Sequence, residues 1–342
     1  MRRTMIIFTV ALAVGAITVL VAQPNSDTSA TDPSATSDSA VGPLYDPVRA
    51  GEQTPSGYRP ILDRDTIRPI YDPSFVTASE SGWTPSTLVL GVSLDGEAKA
   101  YPIVHLNFRE MVIDELAGKP ILVTWCPLCG TAMAHSRVVD GETLVFGNQG
   151  HLWQNAMTWY DHGTGSIWSQ PLGEAILGPL AGTRLERVPS TLTSWTTWLE
   201  RNPETLALDA PGEPSSYRLT DMVLVVELDD ETVGYPFDEL RDVEVVNDVV
   251  NGVEIAVVVD PENLGGWTVF ARQVNGQTLT LERVDGELID LETGTVWDPV
   301  RGTGLEGELA GELLPPIPGF TVFPRDFDSF WPEGRIWSLD GS

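Results

Sequence analysis

Apolar positions along this chain come in short runs and alternations rather than in long helical stripes. Leu88-Val89-Leu90-Gly91-Val92-Ser93-Leu94 and Met222-Val223-Leu224-Val225-Val226-Glu227-Leu228 are rich in β-branched residues, and each is closed by an Asp. That is the pattern of a strand with at least one buried face. Ile121 to Trp125 and Val253 to Val259 are continuous apolar runs, short enough to be strands buried on both faces. Asp140-Gly141 and Asp285-Gly286 are two-residue hairpin signals, because both central positions of such a turn need a positive φ. Helical spacing is rare. It predicts short helices over Pro102–Phe108 and Thr191–Arg201. In the second, Pro189-Ser190 supplies the start, and Trp195, Trp198 and Leu199 share an inward face that reads as core. The fold class expected is mainly β, a β-rich α+β chain with a few short helices.

The strand pattern occurs twice. Tyr101-Pro102 is matched by Tyr235-Pro236, Glu110 and Asp114 by Glu244 and Asp248, and Arg137 by Arg272. Thr164-Gly165-Ser166-Ile167-Trp168 is matched by Thr293-Gly294-Thr295-Val296-Trp297, Leu180-Ala181-Gly182 by Leu309-Ala310-Gly311, and Trp198 by Trp331. The matches keep one order, which reads as duplication of one unit. Two tandem homologous β-sheet domains are therefore expected, at about 85–210 and 219–340. Residues 43–84 carry six prolines and are expected to wrap the first copy.

The N-terminus differs in kind. Arg2-Arg3 precede an apolar run from Met5 to Ala22, the charge-then-hydrophobic order of a signal peptide. The run is near the lower limit of about 17 residues for a membrane span, so residues 1–22 are read as a signal peptide or an anchor. Residues 23–42 are rich in Ser, Thr, Asp, Ala and Pro. They bury too little apolar surface to order themselves and are read as a disordered stalk. The rest of the chain is then extracytoplasmic, either secreted or tethered to the membrane through an uncleaved N-terminus. The net charge of −29 argues against nucleic acid as a partner and suits a halophile's surface. Protein partners are not legible.

The chain has two cysteines, both in Val123-Thr124-Trp125-Cys126-Pro127-Leu128-Cys129-Gly130. A Cys-x-x-Cys after an apolar strand suggests a thioredoxin-like site. The second copy argues against it. Its equivalent stretch, Val257-Val258-Val259-Asp260-Pro261-Glu262-Asn263, reads as strand, turn, strand and has no cysteine. The pair is thus expected in a loop between two strands, in one copy only. So short a covalent loop stabilises little. Three readings stay open: a half-site for soft Cu or Zn, a dithiol–disulfide pair, and a local disulfide in a non-catalytic binding or scaffold module at the cell surface. A metal would need further ligands. His105, His135, His151 and His162 are the histidines available, and each of them, like Met133, reads more readily as structural or surface than as a ligand. The chain holds no Gly-x-Ser-x-Gly, no His-Glu-x-x-His and no phosphate-binding glycine loop.

Leu106-x-Phe108-x-Glu110-Met111-Val112-x-Asp114, Val123-Thr124-Trp125-Cys126-Pro127-Leu128-Cys129-Gly130-Thr131-Ala132 and Ser166-Ile167-Trp168-Ser169-Gln170, in this order, resemble the DUF3179 family of exported bacterial and archaeal proteins without an established function. The resemblance covers about 85–190 strongly and the second copy in part, through Val246-Asn247-Asp248. It implies importance for Cys126, Cys129, Glu110, Trp168, Ser169 and Gln170, and assigns no chemistry. Where the family usually has Trp-His-Glu, this chain has Phe108-Arg109-Glu110, which leaves His105 as the nearby imidazole. Cys126, Cys129, Glu110, Ser169 and Gln170 are the candidate catalytic residues, and Cys126, Cys129 and His105 the candidate metal ligands. Glu110 and Asp114 recur in the copy without cysteines, which points to a fold role. Ser169-Gln170 does not recur, since Asp298-Pro299 follows Trp297, and so belongs to what the first copy does specially.

Overall fold

A computed structural model of the protein describes residues 44–214, 216–260 and 266–339. The segments 1–22 and 23–42 lie outside them. The first copy runs β1 (Leu88–Leu94), β2 (Glu97–Pro102), α1 (Ile103–Arg109), β3 (Met111–Leu116), β4 (Lys119–Cys126), β5 (Thr131–Ser136), β6 (Phe146–Trp153), β7 (Ala156–Asp161), β8 (Ile167–Ser169), β9 (Glu174–Leu177), β10 (Ser190–Ser194), α2 (Trp195–Arg201) and β11 (Leu206–Leu208). The second repeats the order as β12 (Val223–Leu228), β13 (Glu231–Pro236), α3 (Phe237–Val243), β14 (Val245–Val250), β15 (Val253–Val258), β16 (Thr268–Ala271), β17 (Leu281–Val284), β18 (Glu287–Asp290), β19 (Val296–Trp297), β20 (Phe320–Val322), α4 (Pro324–Phe330) and β21 (Arg335–Ile336). The chain is mainly β, as its pattern predicts, and no described helix is long and apolar enough to cross a membrane.

Equivalent sheets confirm the duplication. In the first copy β10-β1-β2-β11 form a sheet whose β2/β11 pair is parallel, and β20-β12-β13-β21 reproduce it with β13/β21 parallel. Each copy adds a meander, β3-β4-β5 or β14-β15-β16, and a second antiparallel sheet built on β6-β7-β8-β9 or β17-β18-β19. Residues 43–84 supply edge strands: Arg59–Pro60 pairs with β6, and Phe75–Thr77 with β11.

Three recurrent polar residues hold this frame. Asp114 accepts from Tyr101 (2.6 Å) and Lys99 (2.9 Å), as Asp248 does from Tyr235 (2.8 Å) and Arg335 (3.0 Å). Arg137 donates to the carbonyls of Ile121, Leu144 and Asp114, and Arg272 to those of Ile255 and Leu279. Asp161 accepts from Thr164 and the Trp168 indole, as Asp290 does from Thr293 and Trp297. Buried polar groups with every partner supplied fix register rather than carry chemistry.

Strand β4 has both faces buried, which its continuous apolar run anticipates. Ile121, Val123 and Trp125 join a core that also contains Leu224, Tyr235, Val257 and Trp267 of the second copy. Leu122 and Cys126 face the opposite cluster, with Met111, Met133, Phe146, Trp159 and Trp168. The copies therefore share a core.

Two expectations are corrected. The helix predicted over Thr191–Arg201 is two elements. Ser190–Ser194 is strand, paired along its length with β1, and the helix starts at Trp195, where Ser194 accepts from the Thr197 N–H. Edge pairing of a Thr-rich segment overrides the helical spacing. The equivalence of Trp198 with Trp331 also shifts. The residues preceding α2 and α4, Ser194 and Phe323, occupy equivalent caps, so Trp198 corresponds to Phe327. Trp331 lies just beyond α4.

Candidate functional site

The cysteine pair occupies the turn between β4 and β5, as the second copy predicts. Cys126 ends β4, and the Gly130 N–H closes the turn onto the Cys126 carbonyl at 2.9 Å. Gly130 has φ +69°, so its side chain must be absent, and a Cβ there would meet the Phe323 ring at 3.2 Å. Both thiols are free and fully buried, although Leu128 at the tip is 45% exposed.

The turn is held by the second copy. Tyr217 donates to the Pro127 carbonyl (3.4 Å), Arg325 to that of Leu128 (2.9 Å), the Phe323 N–H to that of Cys129 (2.8 Å) and Thr321 to that of Gly130 (2.8 Å). With the internal bond to Cys126, five successive carbonyls are satisfied. The duplicate half thus positions the site of the first. Sequence reasoning missed these four residues, because they lie at least 87 positions from the turn (Tyr217 to Gly130) and carry no motif.

Polar side chains meet Cys129 from below. Its sulfur lies 3.0 Å from the Thr131 hydroxyl and 3.9 Å from Gln170 Oε1. Thr131 also donates to Gln170 Oε1, and Gln170 Nε2 reaches the Thr131 carbonyl and the Thr124 hydroxyl, each at 3.3 Å. Gln170 is therefore brought to the cysteines. Its neighbour Ser169 is buried with a hydroxyl that has no hydrogen-bond partner. Burial, reinforced by the neighbouring Cys126 thiol, holds the Cys129 thiol well above its ordinary range, with Thr131 acting in the opposite direction.

Glu110 reaches the site through the backbone. Its carbonyl accepts from Trp125, the residue before Cys126. Both Glu110 and Glu244 end their helices with positive φ, at 59° and 62°, which is the recurrent fold role. Their carboxyl groups differ. Glu244 pairs with Arg283 at 3.3 Å, whereas Glu110 is buried and accepts from Asn148 at 2.6 Å, with no ion pair among the described residues. Burial raises its pKa to about 7, against the Asn148 hydrogen bond.

His105 is not gathered to the thiols. Among the described residues, no three His, Cys, Asp or Glu side chains are grouped to hold a metal. His105 is half-buried on α1, and burial and then Arg109 lower its pKa. His151 is in strand β6, stacked on Tyr58, and His162 stacks on Tyr160. His135 is fully buried on β5 with neither ring nitrogen partnered, and burial pushes its pKa down to about 3. Asp260 occupies the place of Cys126 in the second copy, since the Val259 N–H meets the Glu244 carbonyl as Trp125 meets Glu110. Asn263 lies outside the described residues.

The model of one protein family matches the chain over residues 64–219 and again over 212–342, and its description reads "Protein of unknown function (DUF3179)". No curated protein and no solved structure matches the chain.

Proposed function

The chain belongs to the DUF3179 family, and from its site we propose that Cys126 and Cys129 form a two-electron dithiol–disulfide centre in an extracytoplasmic protein. The observation that carries this reading is a pair of free thiols on one closed turn, fully buried, with no His, Asp or Glu among the described residues grouped with them to hold a metal. Thr131 alone favours a thiolate at Cys129, and burial outweighs it in favour of neutral forms. The pair has two neutral forms, dithiol and disulfide. Oxidation by an external disulfide conserves atoms and electrons: each thiol gives up its proton, one bond forms between the two sulfurs, and the acceptor disulfide leaves as two thiols. Zn²⁺ in a structural site needs four ligands, which the described residues do not gather, and a two-coordinate Cu⁺ dithiolate would leave a net negative charge in the same apolar surroundings. The N-terminal signal-like segment supports the location outside the cytoplasm, where a thiol–disulfide couple can stand oxidised.

The test is a titration of the full-length protein in glutathione buffers, with alkylation and mass measurement of the two thiols. A single reversible two-electron transition is the expected result. A pair that stays disulfide in every buffer makes it a structural crosslink of a binding or scaffold module and ends the redox reading. One equivalent of Cu or Zn in anaerobically purified protein, lost when both cysteines are changed to Ser, ends it in favour of a metal site.

A further inference from the structure

A cleft of about 460 Å³ opens at the seam between the copies, away from the cysteine turn. Its volume suits a small organic molecule. The apolar wall comes from both halves, with Leu94 and Trp198 on one side and Trp267, Phe270 and Ile317 on the other. Gly91 makes the first wall possible: a Cβ there would sit 2.3 Å from the Trp198 ring, so the indole lies directly against the β1 backbone.

The charge of this cleft is opposite to that of the molecule. The chain carries a net −29, yet the charged residues lining the cleft are Arg201, Arg301 and Asp95. Asp95 is already paired with Lys119 at 2.8 Å, and Arg301 makes a looser pair with Asp298 at 3.5 Å. Arg201 has no carboxylate oxygen within 4.0 Å among the described residues. One arm of its guanidinium bonds the Trp267 carbonyl (2.6 Å) and the Thr268 hydroxyl (2.8 Å), while Nε is buried without a partner. Burial lowers its pKa to about 10, which leaves it charged at neutral pH. Asp298 and Glu200 favour its charge only from a distance, with no carboxylate in contact, and a largely buried guanidinium so placed is costly unless an anion completes it. Arg201 ends α2, where the equivalent residue of α4 is Phe330, so the cation is peculiar to the first copy.

We propose that this cleft binds a small organic carboxylate, its apolar body between Trp198, Trp267 and Phe270 and its carboxylate on Arg201, with Arg301 at the rim. Guanidinium and carboxylate match in geometry, and the apolar walls favour an organic anion over an inorganic one. The proposal stands independently of the redox reading of the cysteines.

Calorimetric titration of the full-length protein with phenylacetate and hexanoate, each against its amide, tests it. The carboxylates are expected to bind at least about ten-fold more tightly than the amides, the equivalent of one charge-assisted hydrogen bond. Arg201→Gln is expected to abolish that preference, and Arg301→Gln to weaken carboxylate binding by about three-fold with the thermal midpoint retained. Equal affinity for acid and amide, equal affinity for inorganic phosphate, or no binding at millimolar concentration overturns the proposal. These three comparisons use the unmodified protein, so their outcome does not depend on how well Arg201→Gln folds. Carboxylate binding that persists unchanged in both folded variants overturns it as well.

Discussion

At the scale of single residues, Glu110 shows how one sequence position serves two purposes. Its positive φ is shared with Glu244, so recurrence alone reads it as structural. Its carboxyl is raised from an ordinary 4.5 to about 7, with desolvation as the leading cause, and the burial behind it is peculiar to the copy that holds the thiols. A folded pKa above the unfolded one means the folded state binds the proton more tightly. The corresponding stability is complete below about pH 4.5 and is lost as pH rises through 7. The loss amounts to roughly 3 kcal/mol. Glu110→Gln keeps an acceptor for Asn148 and is expected to remove this loss, so the variant gains on wild type between pH 5 and 8 in denaturant titrations. A constant difference across that range would show that the carboxyl is not protonated in the fold. His135 works in the opposite sense. Its pKa is lowered from 6.5 to about 3, so its contribution is present above pH 6.5 and fades as pH falls.

At the scale of elements, the cysteine turn is the part of the first copy most dependent on the second. Thr321 satisfies the buried Gly130 carbonyl, and Thr321→Val leaves that acceptor without a partner at a cost of about 1–3 kcal/mol. The expected outcome is faster alkylation of both cysteines by a small thiol reagent under native conditions, with a lower thermal midpoint. Unchanged alkylation would mean that the turn keeps its conformation without the clamp. Gly130→Ala places a side chain at φ +69° and against Phe323. It is expected to destabilise by at least about 1–2 kcal/mol from the left-handed conformation alone, measurable in urea.

At the scale of the whole molecule, the shared core decides how the duplicate halves behave. Trp125 and Val123 lie in one apolar cluster with Leu224, Tyr235 and Val257. A truncated first copy would expose that surface, so residues 44–214 alone are expected to show no cooperative unfolding by circular dichroism. A sharp transition in that fragment would show that the copies are independent. The net charge of −29 makes self-repulsion a second global term. Added NaCl screens it, and the thermal midpoint is expected to climb between low and molar salt. A flat or falling midpoint would remove repulsion as a significant cost.

Local pattern was sufficient for the strands, the duplication and the placing of Cys126 and Cys129 in a strand-to-strand turn, because side-chain periodicity and turn chemistry act between near neighbours. It was also sufficient to set Ser169-Gln170 apart from the recurrent frame, and Gln170 does meet Cys129. It failed at Thr191 to Ser194, where pairing with β1 outweighs helical spacing. Three features belong to tertiary structure alone. They are the carbonyl clamp from Tyr217, Thr321, Phe323 and Arg325, the separation of His105 from any metal-holding group among the described residues, and the placing of Arg201 in the inter-copy cleft with no carboxylate in contact. Each depends on residues brought together across the two copies or across separate sheets. Burial and the distance to the nearest carboxylates are properties of that assembled surrounding, and no stretch of sequence contains it. The Cys-Pro-Leu-Cys turn is written in the sequence; its burial, which disfavours a thiolate at Cys129, is set by the fold around it.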